Sequence, residues 1–329
     1  TPDDLRWTPI LAPTFAEYIP VVRAATGPGA NRTYGSYWNR ISDAYATRRL
    51  DEVAATDIEI LMRKTIANTV ARRNSRGGSY AGEHLLAAIR ALYTRAIADG
   101  LIHPHGNPTA DIRKPRRPAN NRRALTSPEL AAINHTATTT GDDPVLDTLL
   151  LRLHHETACR RQAAILLQED DLDEQWCLLR LREKNQAIRW QPISPTLTHT
   201  LAEHHTHRST GQPSTGRLLR YHDGSPLTTR RYDHLWRRIG HHLPWVAAQN
   251  ISIHWLRHTT LTWVERHYGH GIARAYAGHT SKTDTTSTYT KANLADIATA
   301  LSAMTGEPHP HARPDRHVTS AMPPRPLGI

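Results

Sequence analysis

The sequence predicts a mainly α-helical chain of two domains, with a small β-hairpin in the second. Three observations predict it. Apolar residues recur at three- and four-residue intervals through most of the chain. A stretch rich in proline and arginine, 103–123, has no apolar face and interrupts that pattern. Only 176–181 and 187–193 read as strands, joined through Glu183–Gln186 as a hairpin. At 329 residues, each half is long enough to bury a core of its own.

Charge and composition narrow the function classes. With 41 Lys+Arg against 30 Asp+Glu, the formal net charge is +11, so the chain should attract polyanions, nucleic acid first. A basic chain also suits a membrane surface or acidic proteins, but no run has the apolar length of a membrane span and no signal peptide opens the sequence. Two cysteines, Cys159 and Cys177, form neither a disulfide framework nor a CxxC metal site; as core thiols they suit a reducing cytoplasm. The 22 histidines raise the question of a metal. No HExxH is present, and neighbours such as His204-His205 and His241-His242 fall on different sides of a helix. Solvated helix surface accounts for them, and neither metal nor cofactor is expected.

Residues 1–13 carry three prolines and read as a flexible start. The first domain then spans 14–102. Thr14-Phe15-Ala16-Glu17 is a capping box that opens a helix disturbed at Pro20. Tyr34, Tyr37, Trp38, Ile41 and Tyr45 form an aromatic stripe at helical spacing, which is core packing in preference to base stacking. Thr56–Glu59 repeats the capping box ahead of Ile58, Leu61, Met62 and Ile66. Arg72, Arg73 and Arg76, beside Gly77-Gly78, suit a loop or helix end pressed against phosphates. A last helix, with Leu85, Leu86, Ile89, Leu92 and Tyr93, is closed by Gly100. The linker 103–123 follows, and its Arg113, Lys114, Arg116, Arg117, Arg122 and Arg123 would lie along a polyanion.

The second domain spans 124–305. Ser127-Pro128-Glu129 marks a helix start, and a longer helix from Pro144 runs towards Arg160. The hairpin comes next, and helical patterns resume from Thr196. Thr228–Gly240 is a basic helix with Arg230, Arg231, Arg237 and Arg238 outside and Tyr232, Leu235, Trp236 and Ile239 inside; Arg230 and Arg231 are candidate DNA contacts. Ala292–Ala303 forms a short helix, and 306–329, with six prolines, reads as a disordered tail.

The chemistry concentrates in 254–289. Arg257 offers a planar fork of donors that fits two phosphate oxygens, and His254, three residues earlier on one helix, can give or take a proton. Ala277-Gly278-His279, Thr285-Thr286 and Tyr289-Thr290 resemble the closing motif of the tyrosine recombinases, the phage integrase family. His254-x-x-Arg257-His258 resembles their second box, and Glu156-Thr157-Ala158-Cys159-Arg160-Arg161 the first. Lys184, between the two strand-like runs, stands where the family carries its hairpin lysine. The six positions occur in the family's order.

The resemblance implies a catalytic domain preceded by a helical core-binding domain, the two forming a clamp on double-stranded DNA. It implies strand cleavage through a covalent 3′-phosphotyrosine and religation to a new strand, hence site-specific recombination for a mobile element. Tyr289 is then the nucleophile, Arg160, Arg257 and His279 stabilise the phosphorane charge, Lys184 protonates the leaving 5′ oxygen, and His254 accepts the tyrosine proton. It further implies a tetramer on paired sites, with the helix after Tyr289 docking on a neighbouring protomer, and accessory DNA-bending or directionality proteins. No additional amino-terminal arm-binding domain is expected. Two positions depart from the family pattern. Ala163 stands where a carboxylate usually orients the first arginine, leaving Glu156 or Glu169 to substitute, and the His279 to Tyr289 interval is one residue longer than usual. The competing readings are a DNA-binding regulator that does not cut and a type IB topoisomerase. Retention of all six residues favours cleavage, and the HxLRHT and AGH boxes resemble recombinases.

Overall fold

The computed structural model describes residues 11–69, 78–116, 122–182, 188–209, 216–278 and 293–313. The chain divides into two compact units, Thr1–Asn120 and Asn121–Ile329.

Four helices build the first unit: α1 (Phe15–Ala25), α2 (Pro28–Tyr45), α3 (Ala55–Ala67) and α4 (Ser79–Ala98). Thr14 caps α1, its amide donating to Glu17 at 2.8 Å, and the helix runs on through Pro20 instead of breaking there. The capping expected at Thr56 sits two residues earlier: α3 starts at Ala55, and the Asp57 carboxylate accepts from the Ala54 amide at 3.0 Å. The aromatic stripe is core, as its spacing predicts. Trp38, Ile41 and Tyr45 are buried among Phe15, Leu85, Ile89 and Tyr93, and the Trp38 indole donates to the Ala88 carbonyl at 3.1 Å. The stretch expected to lack an apolar face does contribute one residue to this core. Ile112 is buried, and Arg90 donates to its carbonyl at 2.6 Å.

The second unit is α5 (Ser127–Thr139), α6 (Pro144–Thr157), α7 (Arg161–Ile165), β1 (Leu172–Asp173), β2 (Leu178–Arg182), β3 (Ile188–Pro192), α8 (Pro195–Ser209), α9 (Thr229–His242), α10 (Pro244–Ala248), α11 (Ile253–Tyr276) and α12 (Leu294–Thr305). The sheet is antiparallel in the order β1-β2-β3, with Leu181 opposite Arg189 and Leu179 opposite Gln191. Thr126, one residue before the predicted cap, closes the box with Glu129. Helix α11 is 24 residues long and bends at Gly269, whose φ of 81° lies where side chains with a Cβ are strained. That bend turns the last two turns of α11 back along the core, where Trp263, Val264 and Tyr276 pack with Ile297, Leu301 and Met304 of α12. In the single chain, then, α12 spends its apolar face on its own unit.

Three expectations are corrected. Arg231 and Arg238 do not lie outside. Arg231 is buried, its Nε bonding Asp147 at 2.7 Å and its Nη1 bonding Asp142 at 2.9 Å, and Arg238 also reaches Asp147. Aspartates on and before α6 supply the partners that let these guanidinium groups turn inward, so Arg231 clamps α9 to α6 and is withdrawn from the surface. Second, His204 is not solvated surface: it is buried and accepts from the Arg220 amide at 3.1 Å. Third, residues 306–313 do not begin a disordered tail. Glu307 binds Arg152 at 2.7 Å, the buried His309 meets the Cys177 carbonyl at 3.0 Å, and His311 lies over Trp176. Low apolar content hides this segment because polar contacts hold it. Residues 314–329 lie outside the described residues. Among the described residues, no helix is long and apolar enough to cross a membrane.

Candidate active site

The site forms where α6 ends and α11 begins. Asp143 caps α6 at its start, and at its end Ala158 adopts φ 48°, the left-handed turn that stops a helix. The chain re-enters helix at α7 with Arg160 in the cap position, half-exposed.

A helix terminus leaves carbonyls without intrahelical partners. Here side chains from elsewhere in the unit supply them. Thr260 Oγ1 donates to the His155 carbonyl at 2.7 Å, the Tyr276 hydroxyl to Glu156, Arg189 Nη2 to Thr157 at 3.3 Å, and Arg257 Nη1 to Ala158. Two of the four donors are cations, which suit the negative end of a helix. The backbone that presents Arg160 is thereby fixed by α11 at both its ends and by β3.

Arg257 is 4% exposed, and its Nη2 also donates to the Ala277 carbonyl at 2.8 Å. One guanidinium therefore ties the Arg160 turn to the turn that leads into His279. Ser252 precedes α11, so His254 and Arg257 lie in its first turns, where the helix end adds partial positive charge. His254 is exposed to solvent, yet its pKa is held below the ordinary 6.5. Packing around the ring is the largest cause, followed by the charges of Arg122, Arg257 and Arg160. In the sequence, Arg122 is only one cation of a general basic linker. The Leu125 amide, bonded to Thr259 Oγ1 at 2.9 Å, anchors this part of the chain alongside α11.

That electrostatic arrangement makes a prediction. Without DNA, His254 should titrate below 6.5 in an NMR titration of its imidazole, and Arg122→Gln should raise the midpoint, because removing a nearby cation stabilises the imidazolium. A midpoint unmoved by Arg122→Gln contradicts it.

The structure brings Arg160, His254 and Arg257 together from positions about a hundred residues apart in sequence. Lys184, His279 and Tyr289 lie outside the described residues, as do Arg72, Arg73, Arg76 and Arg117. Arg113, Lys114, Arg116 and Arg230 are exposed. Neither carboxylate suggested for orienting Arg160 contacts it. Glu156 is buried, bonded to Arg152 at 2.8 Å and to the Ser194 amide at 2.8 Å, and Glu169 pairs with His205 at 2.9 Å. Ala163 is buried in α7 and offers no carboxylate to Arg160. Among the described residues, no group of three or more His, Cys, Asp or Glu could hold a metal ion.

Comparison with known proteins gives this geometry its family. Residues 123–295, more than half the chain, match the phage integrase family model. The chain belongs to the phage integrase family. Within the curated relatives of this integrase-family chain, a tyrosine recombinase XerC from Chlamydia caviae is 24% identical over 266 residues, 80% of this chain and 78% of the relative. Another XerC, from Chlamydia trachomatis serovar L2, is 26% identical over 229 residues, covering 69% and 70%. Solved structures share the fold. A lambda integrase dimer bound to a COC′ core site superposes with TM-score 0.62 at 16% identity, over 86% of this chain and all of the other. The Tn1549 transposon integrase in complex with circular intermediate DNA gives 0.65 at 15%, over 85% and 96%. The chain is a tyrosine-type site-specific recombinase of mainly helical fold.

Proposed function

We propose that this recombinase cuts and rejoins double-stranded DNA through a covalent 3′-phosphotyrosine at Tyr289. The observation that carries the reading is the convergence of Arg160, Arg257 and His254 at the start of α11, with Arg257 joining two of the motif turns. The phenolic oxygen of Tyr289 attacks the scissile phosphorus as the bond to the 5′ oxygen breaks. His254, neutral near pH 7 because its pKa is depressed, takes the phenolic proton, and Lys184 gives one to the leaving oxygen. Arg160, Arg257 and His279 offset the charge gathering on the non-bridging oxygens. The phosphotyrosine conserves the bond energy, so religation is the reverse reaction with a new 5′-hydroxyl.

The two units are proposed to close on opposite sides of a duplex, with Arg113, Lys114, Arg116, Arg117, Arg230 and the 72–76 arginines on phosphates. Assembly as a tetramer on paired sites, and service to a mobile element, are supported by the likeness to a lambda integrase tetramer bound to a Holliday junction and to the transposon integrase.

Cleavage should persist in excess chelator, because fixed arginines hold the charge that a metal would otherwise neutralise. The test incubates the protein with DNA flanking its own gene, sequences the recombinant joints, and repeats cleavage on a nicked suicide substrate with and without chelator. Joints between two defined sites and chelator-resistant adducts support the reading. Magnesium-dependent cleavage overturns the assigned electrostatics, supercoil relaxation without joints indicates a topoisomerase, and binding without adducts indicates a non-cleaving regulator.

A further inference from the structure

We propose that Arg189 is a positioning residue for strand cleavage, holding the Arg160 turn and the turn before His279 in register with strand β3. The inference rests on the assignment of Arg160 and His279 to the reaction made above.

Strand alternation turns Arg189 and Gln191 to the same side as Leu181 and Leu179, their partners across the sheet, whereas Ile188 and Trp190 are exposed. That side is the core, where Leu179, Leu181 and Gln191 are fully buried. An apolar residue would satisfy such a position by packing alone. Arg189 instead makes directed contacts. Its Nη1 bonds the buried Gln191 side chain, and its Nη2 donates to the Thr157 carbonyl at 3.3 Å, three residues before Arg160. Its stem lies directly under Gly278: a Cβ added there would come 2.6 Å from Arg189 Cδ and Nε. Gly278 has φ 68° and immediately precedes His279 in sequence. One side chain thus touches both turns that Arg257 also joins, but from the opposite partner, the sheet. Seating of β3 and alignment of the Arg160 turn are therefore linked through Arg189.

The experiment compares Arg189→Lys and Arg189→Met with wild type, measuring single-turnover cleavage at saturating DNA, DNA affinity and melting temperature. Methionine keeps most of the stem and loses every donor; lysine keeps a charge and one donor group. Arg189→Met should cut about 10- to 100-fold more slowly at saturation, the scale set by a lost charged hydrogen bond, with affinity unchanged and lysine intermediate. A core-filling role predicts methionine at least as active as lysine, and that order overturns the proposal. Lost affinity with an unchanged saturating rate also overturns it, since Arg189 would then be a DNA contact. If the methionine variant does not fold, the lysine variant decides: slowed cleavage at unchanged affinity supports the proposal and a wild-type rate refutes it. Tyr289→Phe is run alongside. An adduct surviving that change defeats the underlying assignment, whereas its loss beside a fully active Arg189→Met defeats the present inference alone.

Discussion

Replacing Tyr289 by phenylalanine should leave DNA binding intact and reduce covalent adduct to background, because only the phenolic oxygen is lost. Two other tyrosines of the second unit, Tyr276 and Tyr232, are poor substitutes. The Tyr276 hydroxyl is buried, donates to the Glu156 carbonyl, and has its pKa pushed far up by burial and the nearby carboxylate. Tyr232 is likewise buried against His154 at 2.9 Å, with burial raising its pKa well above 10. Neither can reach a phosphate or ionise readily. Gel shift and a denaturing gel of a suicide-substrate reaction check both halves of this expectation; a surviving adduct moves the nucleophile elsewhere.

Lys184→Ala should cleave ordinary DNA more slowly by about 10²- to 10⁴-fold, the usual contribution of general acid catalysis. An alkoxide leaves poorly near neutral pH, and a positioned acid lowers the barrier by protonating it as the bond breaks. A thiolate leaves without that help. On DNA with sulfur at the bridging 5′ position, Lys184→Ala should recover most of its rate, whereas Arg257→Ala should not. Arg257 is assigned in the proposed reaction to the non-bridging oxygens, and it also fixes the Ala158 and Ala277 turns. If sulfur rescues neither variant, Lys184 is not the acid.

The helices were legible because apolar spacing reports burial: the Tyr34 to Tyr45 stripe and the Leu85 to Tyr93 face both lie in the core. Strand β1 was not, since two residues carry no period. Charge patterning misled at α9. Arg230 and Arg231 are adjacent in sequence, but only Arg231 finds Asp147, 84 residues earlier, and only a fold can supply that partner. The motif boxes named Arg160, His254 and Arg257 in advance. What holds them was hidden, because the donors to the end of α6 come from Arg189, Arg257, Thr260 and Tyr276, and a helix-end carbonyl has no sequence signature for a distant cap. Arg122 was hidden for the same reason: its place beside His254 depends on the Leu125 to Thr259 bond.

The most direct measurement isolates the covalent complex from a suicide substrate, trims it with nuclease and protease, and sequences the peptide that carries the nucleotide by tandem mass spectrometry. The nucleotide is predicted on Tyr289, linked through its 3′ phosphate, with a free 5′-hydroxyl on the departing strand. Attachment to any other residue, or linkage through a 5′ phosphate, would contradict the assigned chemistry.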